Sequence, residues 1–115
     1  MSLLSELKTI LSSLSVPVET GIFSDAAPDT YAVLYPLFDE FELYADNKPN
    51  YDIQSVRIEI FTKGNYITLK DNIVRSLLYH DITVTARQYV GFENDTKYHH
   101  YSIDVENYYK YELEE

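Results

Sequence analysis

The stretch YDIQSVRIEIFTKGNYITLKDNIVRSLLYHD, residues 51–81, decides the fold, because it reads as a strand, a tight loop and a helix in immediate succession. Val56, Ile58 and Ile60 alternate with Ser55, Arg57 and Glu59, the period of two expected of a half-buried strand that ends at Phe61. Thr62-Lys63-Gly64-Asn65 follows. Gly64 is free to take a positive φ, and Asn65 can accept from the first unpaired N–H groups of a helix. From Tyr66 to Tyr79, Tyr66, Leu69, Ile73 and Leu77, flanked by Ile67, Val74 and Leu78, recur at three and four. That spacing predicts one broad buried face, with Lys70, Asp71, Arg75 and Ser76 in water.

Working outward toward the N-terminus, Asp39 to Leu43 alternates acidic and apolar residues, with Phe41 and Leu43 on one side and Glu40 and Glu42 on the other. This predicts a hairpin arm over 39–50 with one wet face, closed by the turn-forming run Ala45-Asp46-Asn47-Lys48-Pro49-Asn50. Tyr31 to Phe38 is apolar throughout and reads as a strand covered on both faces, in which Pro36 calls for an edge or a bulge. Val18 to Phe23 is a short extended run and Ser24 to Thr30 a surface loop. Leu4, Leu7, Ile10, Leu11 and Leu14 line one side of a helix over about 3–14, capped by Ser2 and stopped before Pro17.

Toward the C-terminus, His80-Asp81 makes a tight connection into a strand in which Ile82, Val84 and Ala86 alternate with Thr83, Thr85 and Arg87 and which continues through Tyr89 and Val90. Gly91 to Thr96 reads as a hairpin loop. Tyr101, Ile103 and Val105 then alternate with His100, Ser102, Asp104 and Glu106, and the strand runs on to Tyr111 before a charged end at 112–115. The order α-β-β-β-α-β-β with short turns predicts a single α+β domain over 1–115. Its two layers are a mainly antiparallel or mixed sheet of about four to five strands and two helices on one face.

Composition narrows the function. The formal net charge of −10 repels polyanions, so specific nucleic-acid binding is disfavoured. Without cysteine there is no disulfide framework, thiolate metal site or cysteine nucleophile. No apolar run approaches the length of a membrane span and no secretory leader pattern opens the chain, so a soluble protein with no membrane association is expected. Twelve Tyr and five Phe suit large core and interface side chains.

Catalytic and metal readings find little to stand on. His99 and His100, adjacent on a strand, point to opposite faces and cannot readily share an ion, and His80 suits a helix C-terminus. Asp39-Glu40 and Asp104 with Glu106 could serve as acid and base or as oxygen ligands, but no convergent partner accompanies them, and a solvated charged face explains them better. There is no nucleophile elbow, and Lys63-Gly64 lacks the rest of a phosphate-binding loop. A non-enzymatic protein with no catalytic, metal or cofactor-binding residues is expected. The tyrosines near the chain's end either cover the sheet or form a subunit contact.

Two segments, Val56-Arg57-Ile58-Glu59-Ile60-Phe61-Thr62-Lys63-Gly64-Asn65-Tyr66 and Tyr89-Val90-Gly91-Phe92-Glu93-Asn94-Asp95-Thr96-Lys97-Tyr98-His99-His100-Tyr101, resemble small tail-terminator or tail-completion proteins of long-tailed bacteriophages and prophages (siphophages) of Gram-positive hosts. The element order over about 30–105 resembles them too. The resemblance implies a structural virion protein, made in the host cytoplasm and residing in the tail or neck, whose subunits form a hexameric ring. Its partners would be itself, the tail tube protein and the head connector, with DNA passing through unbound. A head–tail joining protein of the neck shares these features, and a monomeric protein-binding module is the reading from another class. If a ring forms, Asp39, Glu40, Glu42 and Asp46 are candidates to line its lumen, although a solvated loop accounts for them equally. Phe41, Leu43, Tyr108, Tyr109 and Tyr111 are candidates for the subunit interface.

Overall fold

The computed structural model describes residues 2–21, 28–42 and 51–110, with Glu42 described by its backbone alone. Their order is α1 (Leu3–Ser13), β1 (Val18–Thr20), β2 (Thr30–Glu42), β3 (Tyr51–Thr62), α2 (Tyr66–Tyr79), β4 (Thr83–Phe92) and β5 (His99–Lys110). The strands form one five-stranded mixed sheet in the order β1-β2-β3-β5-β4, in which only β1 and β2 run parallel. The α+β architecture is the one expected from the sequence.

Alternation along the central strands places the core. Ala32 and Leu34 of β2, Val56, Ile58 and Ile60 of β3, and Tyr101, Ile103 and Val105 of β5 are paired across the sheet and turn to one side. There they meet Leu3, Leu7, Ile10 and Leu11 of α1 and Ile73 and Leu77 of α2 in one continuous buried cluster. Each fully buried Leu or Ile contributes about 1.5–3 kcal/mol of transfer free energy. Both helices therefore lie on the same face, and the other face has no helix among the described residues.

The helix boundaries follow from local chemistry. Ser2 and Ser5 form a reciprocal capping box at the start of α1, and Asn65 accepts from the N–H groups of Ile67 and Thr68 at the start of α2. Both helices end in the same closure. Ser15 and Asp81 take positive φ, and the next residues, Val16 and Ile82, donate back to Leu11 and Leu77 at 2.9 and 3.0 Å while burying their side chains against them.

The structure corrects several expectations. Gly64 has no positive φ; the Thr62 hydroxyl, accepting from the Gly64 N–H at 3.1 Å, shapes the loop instead. Ile67 and Leu78 are 52% and 57% exposed, so the buried face of α2 is narrower than its apolar pattern suggests. β2 is one strand from Thr30 through Glu42 rather than a strand plus a separate arm, with the irregularity expected at Pro36 appearing as a register shift between Pro36 and Phe38. Ala32, Val33 and Leu34 are buried on both faces as expected, but Tyr35, Leu37 and Phe38 are exposed rather than covered. In β4 a shift between Val84 and Ala86 reverses the alternation: Arg87 and Tyr89 pair with Ile103 and Tyr101 and so turn to the helix side, and Ala86 turns away. Gly91 and Phe92 belong to β4, and the connecting turn closes through Glu93, whose N–H donates to Tyr98 at 2.8 Å.

Beyond the helices, β2, β3 and β5 run on together as an arm. Its base is pinned by the Leu3 N–H, which donates to Gln54 Oε1 at 2.8 Å, and by the Tyr109 hydroxyl, which donates to Glu6. Burial first, and then the bond to Glu6, push the Tyr109 hydroxyl well above its ordinary ionisation range. Tyr109→Phe is expected to cost about 1 kcal/mol at neutral pH. A raised native pKa adds stability that is complete below the unfolded value, about 10, and fades as pH rises beyond it, so urea titrations should show the gap narrowing above that pH. Asp81→Gly, which relieves a left-handed residue without touching the core, is expected to stabilise by about 0.5–1 kcal/mol in the same assay.

Candidate functional site

The face of the sheet without helices gathers aromatic and charged side chains from four strands. Register brings Tyr31, Val33 and Tyr35 of β2, Arg57, Glu59 and Phe61 of β3, His100, Ser102 and Asp104 of β5, and Ala86 and Gln88 of β4 to it. At one end Phe61 lies sandwiched, with Tyr31 stacked at 4.8 Å between centroids and His100 at 4.2 Å, and Tyr98 meets Tyr31 edge-on at 5.4 Å. The Tyr98 hydroxyl donates to the Pro28 carbonyl, and Lys63 Nζ sits 5.0 Å from the Tyr98 ring. Burial, followed by the neighbouring Tyr98, Glu93 and Tyr35, raises the Tyr31 hydroxyl above its ordinary range.

At the middle of this face Arg57 grips Asp104 with two hydrogen bonds, Nε to Oδ1 at 2.8 Å and Nη2 to Oδ2 at 3.1 Å. That bond raises the guanidinium further above an already high value, and the charge is permanent. His100 Nε2 is shielded from solvent and lies 3.2 Å from Glu59 Oε1 without the alignment of a hydrogen bond; the contact is an ion pair when the imidazole is protonated. The Ser102 hydroxyl also reaches Glu59, at 3.4 Å. The row from Arg57 to Glu59 separates two shallow hollows. One, about 280 Å³, runs toward β4 over Ala86, Gln88 and Ser102; the other, about 370 Å³, runs toward Tyr35, Pro36 and Leu37. Such open, shallow relief, in which Arg57 already holds Asp104 and His100 lies against Glu59, suits contact with another protein better than enclosure of a small molecule.

No protein-family model matches this chain, and no curated protein does. The reading of the surface therefore rests on its geometry.

The residues singled out from sequence divide between faces. Glu40 pairs with Ile53 and turns to the helix-free side, whereas Asp39 and Phe41 pair with Gln54 and Asp52 and turn to the other. The acidic lining candidates thus do not act as one row. Glu42 closes β2 opposite Tyr51, and Asp46 lies outside the described residues. Of the interface candidates, Phe41 is 44% exposed and Tyr108, 61% exposed, packs edge-on to Tyr51 at 5.4 Å on the helix-free side. Tyr109 packs against the core and is engaged by Glu6, while Leu43 and Tyr111 lie outside the described residues.

The histidines separate as their positions require. His99 sits on the helix side among Tyr66, Tyr89 and Phe92, with Nδ1 3.0 Å from the Tyr89 hydroxyl, whereas His100 is on the opposite face. The His80 Nδ1 lies 2.8 Å from the Ser76 carbonyl at the end of α2. Among the described residues no three His, Asp or Glu side chains converge as a metal site, and no helix is long and apolar enough to cross a membrane. The Phe61 stack and the Arg57–Asp104 clamp were beyond sequence reasoning, because both depend on register between strands far apart in the chain. Phe61→Ala is expected to destabilise by about 1–3 kcal/mol in urea unfolding, through loss of the sandwiched ring. Arg57→Ala, which breaks a solvent-facing pair, should cost less than about 1 kcal/mol.

Proposed function

We propose that this chain is a structural, ring-forming subunit of a long-tailed phage or prophage particle, of the tail-terminator or tail-completion type, which caps the tail tube and meets the head connector. The observation that carries this reading is the one-sided cover of the sheet. A protein that buries one sheet face under two helices and leaves the other with Tyr35, Leu37, Phe38, Val90 and Tyr108 exposed retains an apolar surface suited to a protein partner. The resemblance described above supplies the kind of partner: tube subunits on one side and the connector on the other.

The net charge of −10 agrees with a passage that DNA must traverse without adhering, since fixed carboxylates raise the local cost of a phosphate backbone. In this reading Glu40, with Glu42 and Asp46 following it in the chain, borders the passage. Asp39, facing the other way, does not. The apolar strip at Tyr35, Leu37 and Phe38 meets the tube or connector.

Light scattering coupled to size-exclusion chromatography tests the reading. The wild-type chain is expected to form a ring-sized species on its own or when purified tail tubes are added, and to cap those tubes. Leu37→Asp with Phe38→Asp should remain folded and lose capping. Glu40→Gln with Glu42→Gln should cap normally while retaining double-stranded DNA. A chain that stays monomeric and indifferent to tubes and connectors would end the proposal.

A further inference from the structure

β4 closes one edge of the sheet, and among the described residues no strand pairs with its outer side. An unpaired edge offers a row of N–H and C=O groups to an incoming strand, and Lys or Pro commonly blunts it; β4 has neither, and most of it is exposed. Register shifts between Val84 and Ala86 and between Tyr89 and Gly91 set off Ala86–Tyr89 as a regular run of four residues. β4, α2 and the loops that flank them all lie within the unbroken described stretch 51–110.

The two sides of this edge differ. On the helix side, in a chain with nine basic and nineteen acidic residues, Lys70, Arg75 and Arg87 gather around the single carboxylate Asp71. Lys70 Nζ takes Asp71 at 2.9 Å, which leaves Arg75 and Arg87 without an ion-pair partner among the described residues. β4 itself contains no Asp or Glu. On the helix-free side the hollow of about 280 Å³ is bordered by Ala86, Gln88 and the exposed Val90. An added strand that suits both sides carries acidic side chains on one face and apolar ones on the other. Residues 111–115 of this chain, Tyr-Glu-Leu-Glu-Glu, have that pattern: Glu112 and Glu114 alternate with Tyr111 and Leu113.

We infer that the outer edge of β4 takes residues 111–115 of a second copy of this chain as an added strand, with Glu112 and Glu114 toward Arg75 and Arg87 and with Tyr111 and Leu113 toward the hollow beside Ala86 and Val90. Backbone hydrogen bonds supply the attachment and the alternating side chains its selectivity. Charge complementarity argues for this occupant, whereas pairing β4 with its own copy would set the two basic corners against each other. Length argues that the segment comes from another copy. Five extended residues span about 17 Å, but Lys110 lies six residues beyond Asp104, the partner of Ala86, so the segment is too short to run along the edge of its own chain. Segment and edge are different surfaces, so the contact is heterologous and repeats in one direction until it closes. The inference rests on the ring-forming reading and names the contact that makes the ring.

Light scattering of variants, each compared with wild type in urea unfolding, tests the contact. A chain ending at Lys110 is expected to keep the wild-type urea midpoint and to lose assembly. Glu112→Lys/Glu114→Lys and Arg75→Glu/Arg87→Glu each set like charges together and should weaken association ~100-fold or more. All four changes in one chain should restore it, with assembly weakening as salt is raised. The chain ending at Lys110 removes nothing from the described core, so its result decides the matter even where charge reversal disturbs folding.

A chain ending at Lys110 that assembles as wild type does would overturn the inference and leave the ring reading standing. A folded four-substitution variant that stays dissociated would overturn it as well. Wild type that stops at dimers would mean reciprocal exchange and would overturn the heterologous contact. Wild type that never assembles, even on tail tubes, overturns both readings.

Discussion

The molecule depends on a single dry layer between sheet and helices. Leu34, Ile58, Ile103 and Val105 are drawn from three strands by register, and they become a surface worth burying only when all three pair correctly. A slip of one residue in β3 would turn Ile58 outward and bring Arg57 and Glu59 inward, at a cost of several kcal/mol for each unpaired buried charge. The layer thus selects the register, and the register sets everything on the opposite face, including the Arg57–Asp104 clamp and the stack around Phe61. The outer face is a by-product of inner packing in its geometry, though not in its residue choice.

That dependence explains which parts of the fold were legible. Patterns repeating within one element could be read directly: the period of two in β3 and β5, the three-and-four spacing of α1 and α2, and the caps at Ser2 and Asn65. Features that arise between elements could not. The shift after Val84 reverses β4 and carries Arg87 to the helix side, yet no Gly or Pro stands at the shift to announce it. The helix ends use Ser15 and Asp81 where glycine is the usual signal, so their closures were hidden in ordinary polar residues. Gly64 invited a left-handed turn that the Thr62 hydroxyl made unnecessary. A glycine states what is permitted, and neighbouring hydrogen-bonding groups decide what is used.

The candidate site was legible to a smaller degree. Alternation from Asp39 to Glu42 implied that Glu40 and Phe41 face opposite ways, as they do, but not that Asp39 shares the helix side with Phe41 while Phe38 shares the other side with Glu40. Assigning a carboxylate to a passage or to a neighbouring subunit requires knowing which residues are opposite it. Gln54 and Ile53 supply that for Asp39 and Glu40, and both lie on the neighbouring strand β3. The tyrosines show the same limit. Tyr108 and Tyr109 are adjacent in sequence, yet the first is an exposed ring and the second an engaged hydroxyl at the base of the arm.

The Tyr109–Glu6 bond has a consequence beyond local stability. α1 reaches the arm through this bond and through the Leu3 amide on Gln54, so the first turn of the helix and the base of the arm are tied at two points. An arm that projects past its helices would otherwise be a three-stranded ribbon with little core of its own, and such ribbons are marginal in water. Anchoring its base to a buried helix lowers the conformational freedom that must be lost when the arm meets a partner, which favours association without adding contact area.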